Sequence, residues 1–95
     1  MSLEILASEI LLDQIKKLDG KSKRILSSKI DLIKLNPFRF KRIHSKRFSQ
    51  VFRVKLNVNN AESRLIYTIL GNKIFLICLL DRKHDYKDLE NYLGK

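Results

Sequence analysis

The chain has 95 residues, enough for one domain around a single core and too few for two. Apolar residues make up 44% of it, which predicts a folded globule rather than disorder. Twenty Lys and Arg against ten Asp and Glu leave a formal charge of +10; such an excess attracts polyanions, nucleic acid first and an acidic protein second. One cysteine, Cys78, excludes an intrachain disulfide and fits a reduced, cytoplasmic setting. The longest apolar run, residues 74–80, is too short to span a bilayer. The first twelve residues carry Glu4 and Glu9 and lack a basic start, so no signal peptide is expected.

In chain order, residues 2–7 alternate and predict a short strand. Ser8 suits a helix N-cap, followed by an apolar stripe of Leu11, Leu12, Ile15 and Leu18. Gly20 is expected to supply the left-handed residue ending that helix. A second helix is predicted from Lys21 or Ser22, with Leu26, Ile30 and Ile33 on one face, and Pro37 stops it by disfavouring helical geometry at Asn36.

After Pro37 the period changes to two. Residues 39–43 predict a strand, and 51–56 a second with Phe52, Val54 and Leu56 on one face and Val51, Arg53 and Lys55 on the other. Residues 57–63, NVNNAES, read as a polar loop. A strand over 64–70 follows, with Leu65, Tyr67 and Ile69 facing one way and Arg64, Ile66 and Thr68 the other. Gly71, Asn72 and Lys73 form a tight hairpin turn, and 74–80 is apolar on both faces, as a covered central strand should be. The last residues read as a polar turn and a short helix carrying Tyr86, Leu89 and Leu93. The fold class is α+β in one domain over 1–95. An N-terminal strand and a helical hairpin pack on an antiparallel sheet of about four strands, with a short C-terminal helix behind. The sheet face away from the hairpin is expected to keep polar and basic side chains.

Charge is unevenly placed. No acid lies between Asp31 and Glu62, while Lys34, Arg39, Lys41, Arg42, Lys46, Arg47, Arg53 and Lys55 do. Five of these crowd into RFKRIHSKRF, residues 39–48. Taken singly, each cation is accounted for as solubilising decoration of a half-exposed sheet. For Lys46 and Arg47, in a predicted loop, that reading and a binding role both stand. Arg53, Lys55 and Arg64 read as a site, because strand alternation sets Arg53 and Lys55 on one side and antiparallel pairing brings Arg64 to it. Arg82 emerges just past the last strand. His44 and His84, without cysteine or carboxylate partners at ligand spacing, do not make a metal site. No phosphate-cradling glycine loop, nucleophile elbow or catalytic carboxylate pair is present, so any catalysis falls to Arg, Lys, Tyr and His.

The segments LNPFRFKRI and FRVKLNVNNAESRLIYTILGNKIFLICLLDRKHDYKDL resemble, in order and spacing, the RelE/ParE toxin superfamily, and its RelE branch more closely. The resemblance spans nearly the full length. It implies a small α+β toxin that cleaves messenger RNA in the ribosomal A site without metal or small-molecule cofactor, away from membranes, and is blocked by a cognate antitoxin protein. By position, Arg53 and Lys55 match the paired cations of the middle strand, Arg64 a phosphate binder, Arg82 the arginine of the family's HRKDVY segment and Tyr86 its closing tyrosine. Arg39, Lys41, Arg42, Lys46, Arg47 and His84 are the expected RNA contacts. Lys55, His84 and Tyr86 remain the candidate proton acceptors, since a guanidinium stays protonated. Asp81 stands where many relatives have His, His84 where they often have an acid, and the 57–63 loop is longer than usual. The competing readings are a ParE-like gyrase inhibitor and an inactive basic RNA-binding protein.

Overall fold

The computed structural model describes residues 3–44 and 48–81. In order these form β1 (Glu4–Ala7), α1 (Glu9–Lys16), α2 (Gly20–Leu35), β2 (Lys41–Ile43), β3 (Val51–Val58), β4 (Ala61–Leu70) and β5 (Lys73–Asp81). The strands make one sheet in the order β1-β5-β4-β3-β2. β2 to β5 pair antiparallel, and β1 joins β5 in parallel. The expected α+β class with an N-terminal strand, helical hairpin and four antiparallel strands is the observed one. The expected C-terminal helix lies outside the described residues.

Capping chemistry sets the helices. Ser8 adopts extended geometry and its hydroxyl accepts from the Leu11 N–H at 3.0 Å, opening α1. Asp19 does the same for α2, accepting from the Ser22 N–H at 2.7 Å. Hydrogen bonds from the Ser22 hydroxyl and from the Ser22 N–H hold the Asp19 carboxyl below its usual range. Gly20 is therefore the first residue of α2 and not a left-handed terminator; α1 ends at Lys16 with Lys17 as its cap, and Gly71 is the described glycine with positive φ. α2 stops at Leu35, with Asn36 extended before Pro37, as the proline demands.

The stretch NVNNAES is not a loop. β3 and β4 continue in register to Val58 opposite Ala61, and the chain reverses in two residues, Asn59 and Asn60, at φ 48° and 63°. Asparagine tolerates this left-handed region better than other side-chain-bearing residues, which makes Asn-Asn a two-residue hairpin turn.

Two apolar clusters sandwich the sheet. On the helix side, Leu11, Leu26 and Ile33 bury against Phe52, Val54, Leu56, Leu65, Tyr67, Ile69, Ile74 and Leu76. Leu12, placed in the α1 stripe by sequence, is instead 48% exposed. On the other side Val51, Ile66, Ile77, Cys78 and Leu80 bury together, with Ile10, Ile43 and Phe48 packed on them. That face is therefore apolar over β5 and the middle of β4, and basic at the corner held by Lys41, Arg53, Lys55 and Arg64; the expected polar and basic side chains occupy only that corner. A register shift between Ile66 and Tyr67, opposite Leu76 to Cys78, decides which β5 residues face each way; the run is apolar on either face. The extra residue puts Ile74 and Leu76 on the helix side but Cys78 and Leu80 on the opposite one.

Candidate nucleic-acid interface

Directly opposed residues in an antiparallel ladder share a face, with Cβ atoms about 5 Å apart. Lys41 stands opposite Arg53, and Lys55 opposite Arg64. Arg53 and Lys55 are two apart on one strand, so these four cations share the face turned away from the helical core. Arg53 is flanked across the sheet by Ile66, and Arg64 by Leu80. The cationic corner thus borders the second apolar cluster. Arg53 and Arg64 are half-buried, whereas Lys41 and Lys55 are exposed. Together with Arg42, Ile43 and His44, Lys41, Arg53 and Arg64 line an open groove of about 420 Å³.

The segment RFKRIHSKRF divides its labour. Phe40 packs its edge against Tyr67 with ring centroids 6.5 Å apart, and Ile43 and Phe48 pack on the second cluster. Arg39 lies over the Phe40 ring at 5.4 Å, in cation–π range. Arg42 is out of phase with Lys41, opposite Phe52, and its guanidinium donates to the Ser49 carbonyl. Lys46, Arg47, Arg82, His84 and Tyr86 lie outside the described residues. Of the five expected catalytic residues, Arg53, Lys55 and Arg64 are described, and all three share one face.

Two residues near this wall were not anticipated. His44, considered in the sequence only as a metal ligand, borders the same groove as Arg53 and Arg64. Lys29, on α2, borders a groove with Arg53 and Lys55. A histidine two residues after Arg42, an expected RNA contact, was a readable signal; a lysine on a distant helix was not. Asp81 pairs with Ser63 and so alternates to the face opposite Arg64. Glu62, opposite Asn57, is on the cationic face, one pair beyond Lys55.

Burial narrows the chemistry. The Cys78 thiol is fully buried and its pKa is pushed up to about 12, so it remains protonated and is no nucleophile. Tyr67 is also buried, which raises its phenol, and its hydroxyl donates to the Pro37 carbonyl. It is a core residue, as its alternation implied. Among the described residues no group of three or more metal-ligating side chains exists, and no helix is long and apolar enough to cross a membrane.

No protein-family model and no curated protein sequence matches the chain. Solved structures do. A free-state arginine-to-alanine double mutant of the E. coli toxin RelE superposes with a TM-score of 0.67 at 17% identity, over 99% of this chain and 93% of that one. The intact E. coli RelBE toxin–antitoxin complex matches at 0.67 and 18% identity, over 86% of this chain and 99% of that chain. Isolated E. coli RelE matches at 0.66 and 17%, over 97% of each. The helical hairpin, the mostly antiparallel sheet and the near-complete two-way coverage together show that this chain has a RelE-like toxin fold.

Proposed function

We propose that this chain is the toxin of a toxin–antitoxin pair and acts as a metal-independent endoribonuclease on messenger RNA in the ribosomal A site. The observation that carries this reading is the shared face of Arg53, Lys55 and Arg64, set by ladder register on a RelE-like fold. An acidic antitoxin would neutralise it by covering that face; the similarity to a chain from the RelBE complex supports such a partner.

The reaction is attack of a ribose 2′-hydroxyl on the adjacent phosphate, giving a 2′,3′-cyclic phosphate and a 5′-hydroxyl. It needs a proton acceptor, a proton donor and charge neutralisation on the five-coordinate phosphorane. Arg64, in β4 and opposite Lys55, would bind the phosphate with its planar fork. Arg53, bordered by Lys41, adds positive potential and stays protonated. Lys55 is the described candidate for proton transfer, beside His84 and Tyr86 further along the chain. The ribosome supplies orientation of the strand, which contributes much of the rate in such reactions.

Primer extension on a translated message tests this. Wild-type protein should produce discrete ribosome-dependent cuts. Arg64→Ala should lower the cutting rate by roughly a hundredfold or more, as loss of a transition-state charge partner does. Lys41→Ala, at the outer row, should cost roughly tenfold or less. Equal, mild effects would remove Arg64 from the site. An intact message with inhibited gyrase supercoiling would replace the reading with the ParE-like one.

A further inference from the structure

β2 accompanies β3 only from Val51 to Arg53. From Val54 to Val58 no described strand runs beside the outer edge of β3, and α2 packs next to it. Two open grooves follow this edge. One, of about 470 Å³, is lined by Lys29, Arg39, Phe40, Lys41, Arg53, Val54 and Lys55. The next is lined by Ile25, Lys29, Lys55, Leu56, Asn57 and Glu62. Lys29 and Lys55 border both, so the grooves are continuous.

The first groove gathers five cations and, among the described residues, no acid. They come from three separate elements and a loop: α2, the segment before β2, β2 itself and β3. Phe40 contributes an aromatic ring, over which Arg39 lies. Lys29 is half-buried at the seam between α2 and β3, one turn beyond Ile25, and carries its charge where other α2 lysines do not. Cations following a groove with an aromatic platform suit a single-stranded nucleic acid, whose backbone is neutralised and whose bases stack. The acid Glu62 enters only in the second groove, which sets the direction in which positive potential declines.

We infer that the groove over the open edge of β3 is a track for single-stranded RNA backbone, in which Lys29 and Arg39 bind phosphates outside the cleavage wall of Arg53, Lys55 and Arg64. This deepens the proposed function and rests on it for the identity of the strand. The track carries the message past the scissile phosphate around the edge of the sheet toward the helical hairpin.

The test is fluorescence anisotropy with a short fluorescein-labelled 2′-O-methyl RNA, which cannot be cut through its 2′ oxygen, titrated at several salt concentrations. Lys29→Gln should weaken binding on the order of fivefold, about one surface charge contact, and flatten the salt slope by about 0.7, one released counterion on a single strand. Lys23→Gln, an equal charge change elsewhere on α2, should leave affinity within about twofold and the slope unchanged. Arg39→Gln should act like Lys29→Gln, and thermal melting of each variant separates misfolding from lost contact. Equal behaviour of Lys29→Gln and Lys23→Gln overturns the track. Unchanged RNA affinity with weakened capture of the acidic antitoxin overturns it too, and assigns the groove to a protein. If the wild type cuts no message yet Lys29→Gln still loses affinity, the track stands and the nuclease reading falls. If the message is cut and Lys29→Gln binds like wild type, the reverse holds.

Discussion

Beyond Ala7 the first strand no longer accompanies β5, and the backbone of Leu79 meets a side chain instead. The Gln14 amide donates to the Leu79 carbonyl at 2.8 Å and accepts from its N–H at 2.7 Å. Just before it, the Ser8 hydroxyl donates to the Ile77 carbonyl while it caps the helix. α1 thus closes the edge of β5, with Leu11 in one apolar cluster and Ile10 in the other. Gln14→Leu keeps the bulk but orphans both groups of a buried residue. It should cost about 2–3 kcal/mol, two hydrogen bonds plus desolvation, measured by urea unfolding. A loss below about 0.5 kcal/mol would show that water replaces the amide there. The sequence made the Ser8 cap legible, because capping is local and residue-specific. It did not reveal Gln14, whose partner residue Leu79 is 65 positions away.

At the scale of elements, alternation was the reliable guide wherever the ladder is regular. It sorted Phe52, Val54 and Leu56 from Arg53 and Lys55, and that division is the geometry of the candidate site. It failed at two irregular places. The extra residue in β5 reverses facing within an all-apolar run, and such a run carries no periodic signal to betray a bulge. The Asn59–Asn60 turn was concealed by polar flanks, since Asn57 and Glu62 pair one step from it. That turn also ties the hairpin to the helices. The Asn59 side chain accepts from the Asp19 N–H at 3.0 Å and donates to the Lys17 carbonyl at 3.2 Å, and its backbone N–H donates to the Ser22 hydroxyl at 2.7 Å. Paired substitutions separate the two roles. Asn60→Gly should stabilise by a few tenths to about 1 kcal/mol, because glycine fits a left-handed turn position without steric cost. Asn59→Gly fits the turn equally well but loses both side-chain bonds, and should destabilise by about 1–2 kcal/mol. Equal effects in urea titrations would mean the link to the helices contributes nothing.

Across the whole molecule, the charge that attracts polyanions also opposes folding. A net +10 on 95 residues is self-repulsive, and the ladder places Lys55 directly against Arg64 and Lys41 against Arg53. Opposed like charges on a sheet are destabilising. Their gathering on one face costs stability that a bound anion would offset. Lys55→Thr relieves one such pair and replaces lysine with a better strand former. At low ionic strength it should raise stability by about 0.5–1 kcal/mol, while removing a described candidate for proton transfer. Near 1 M salt, where the Debye length is about 3 Å, only the strand-propensity part should remain. Urea midpoints at the two salt concentrations decide it. A gain that salt leaves untouched would place the repulsion elsewhere. A loss at low salt would mean Lys55 is held by an attraction that outweighs Arg64, and the wall would then be a neutralised surface with no electrostatic reason to take up a phosphate.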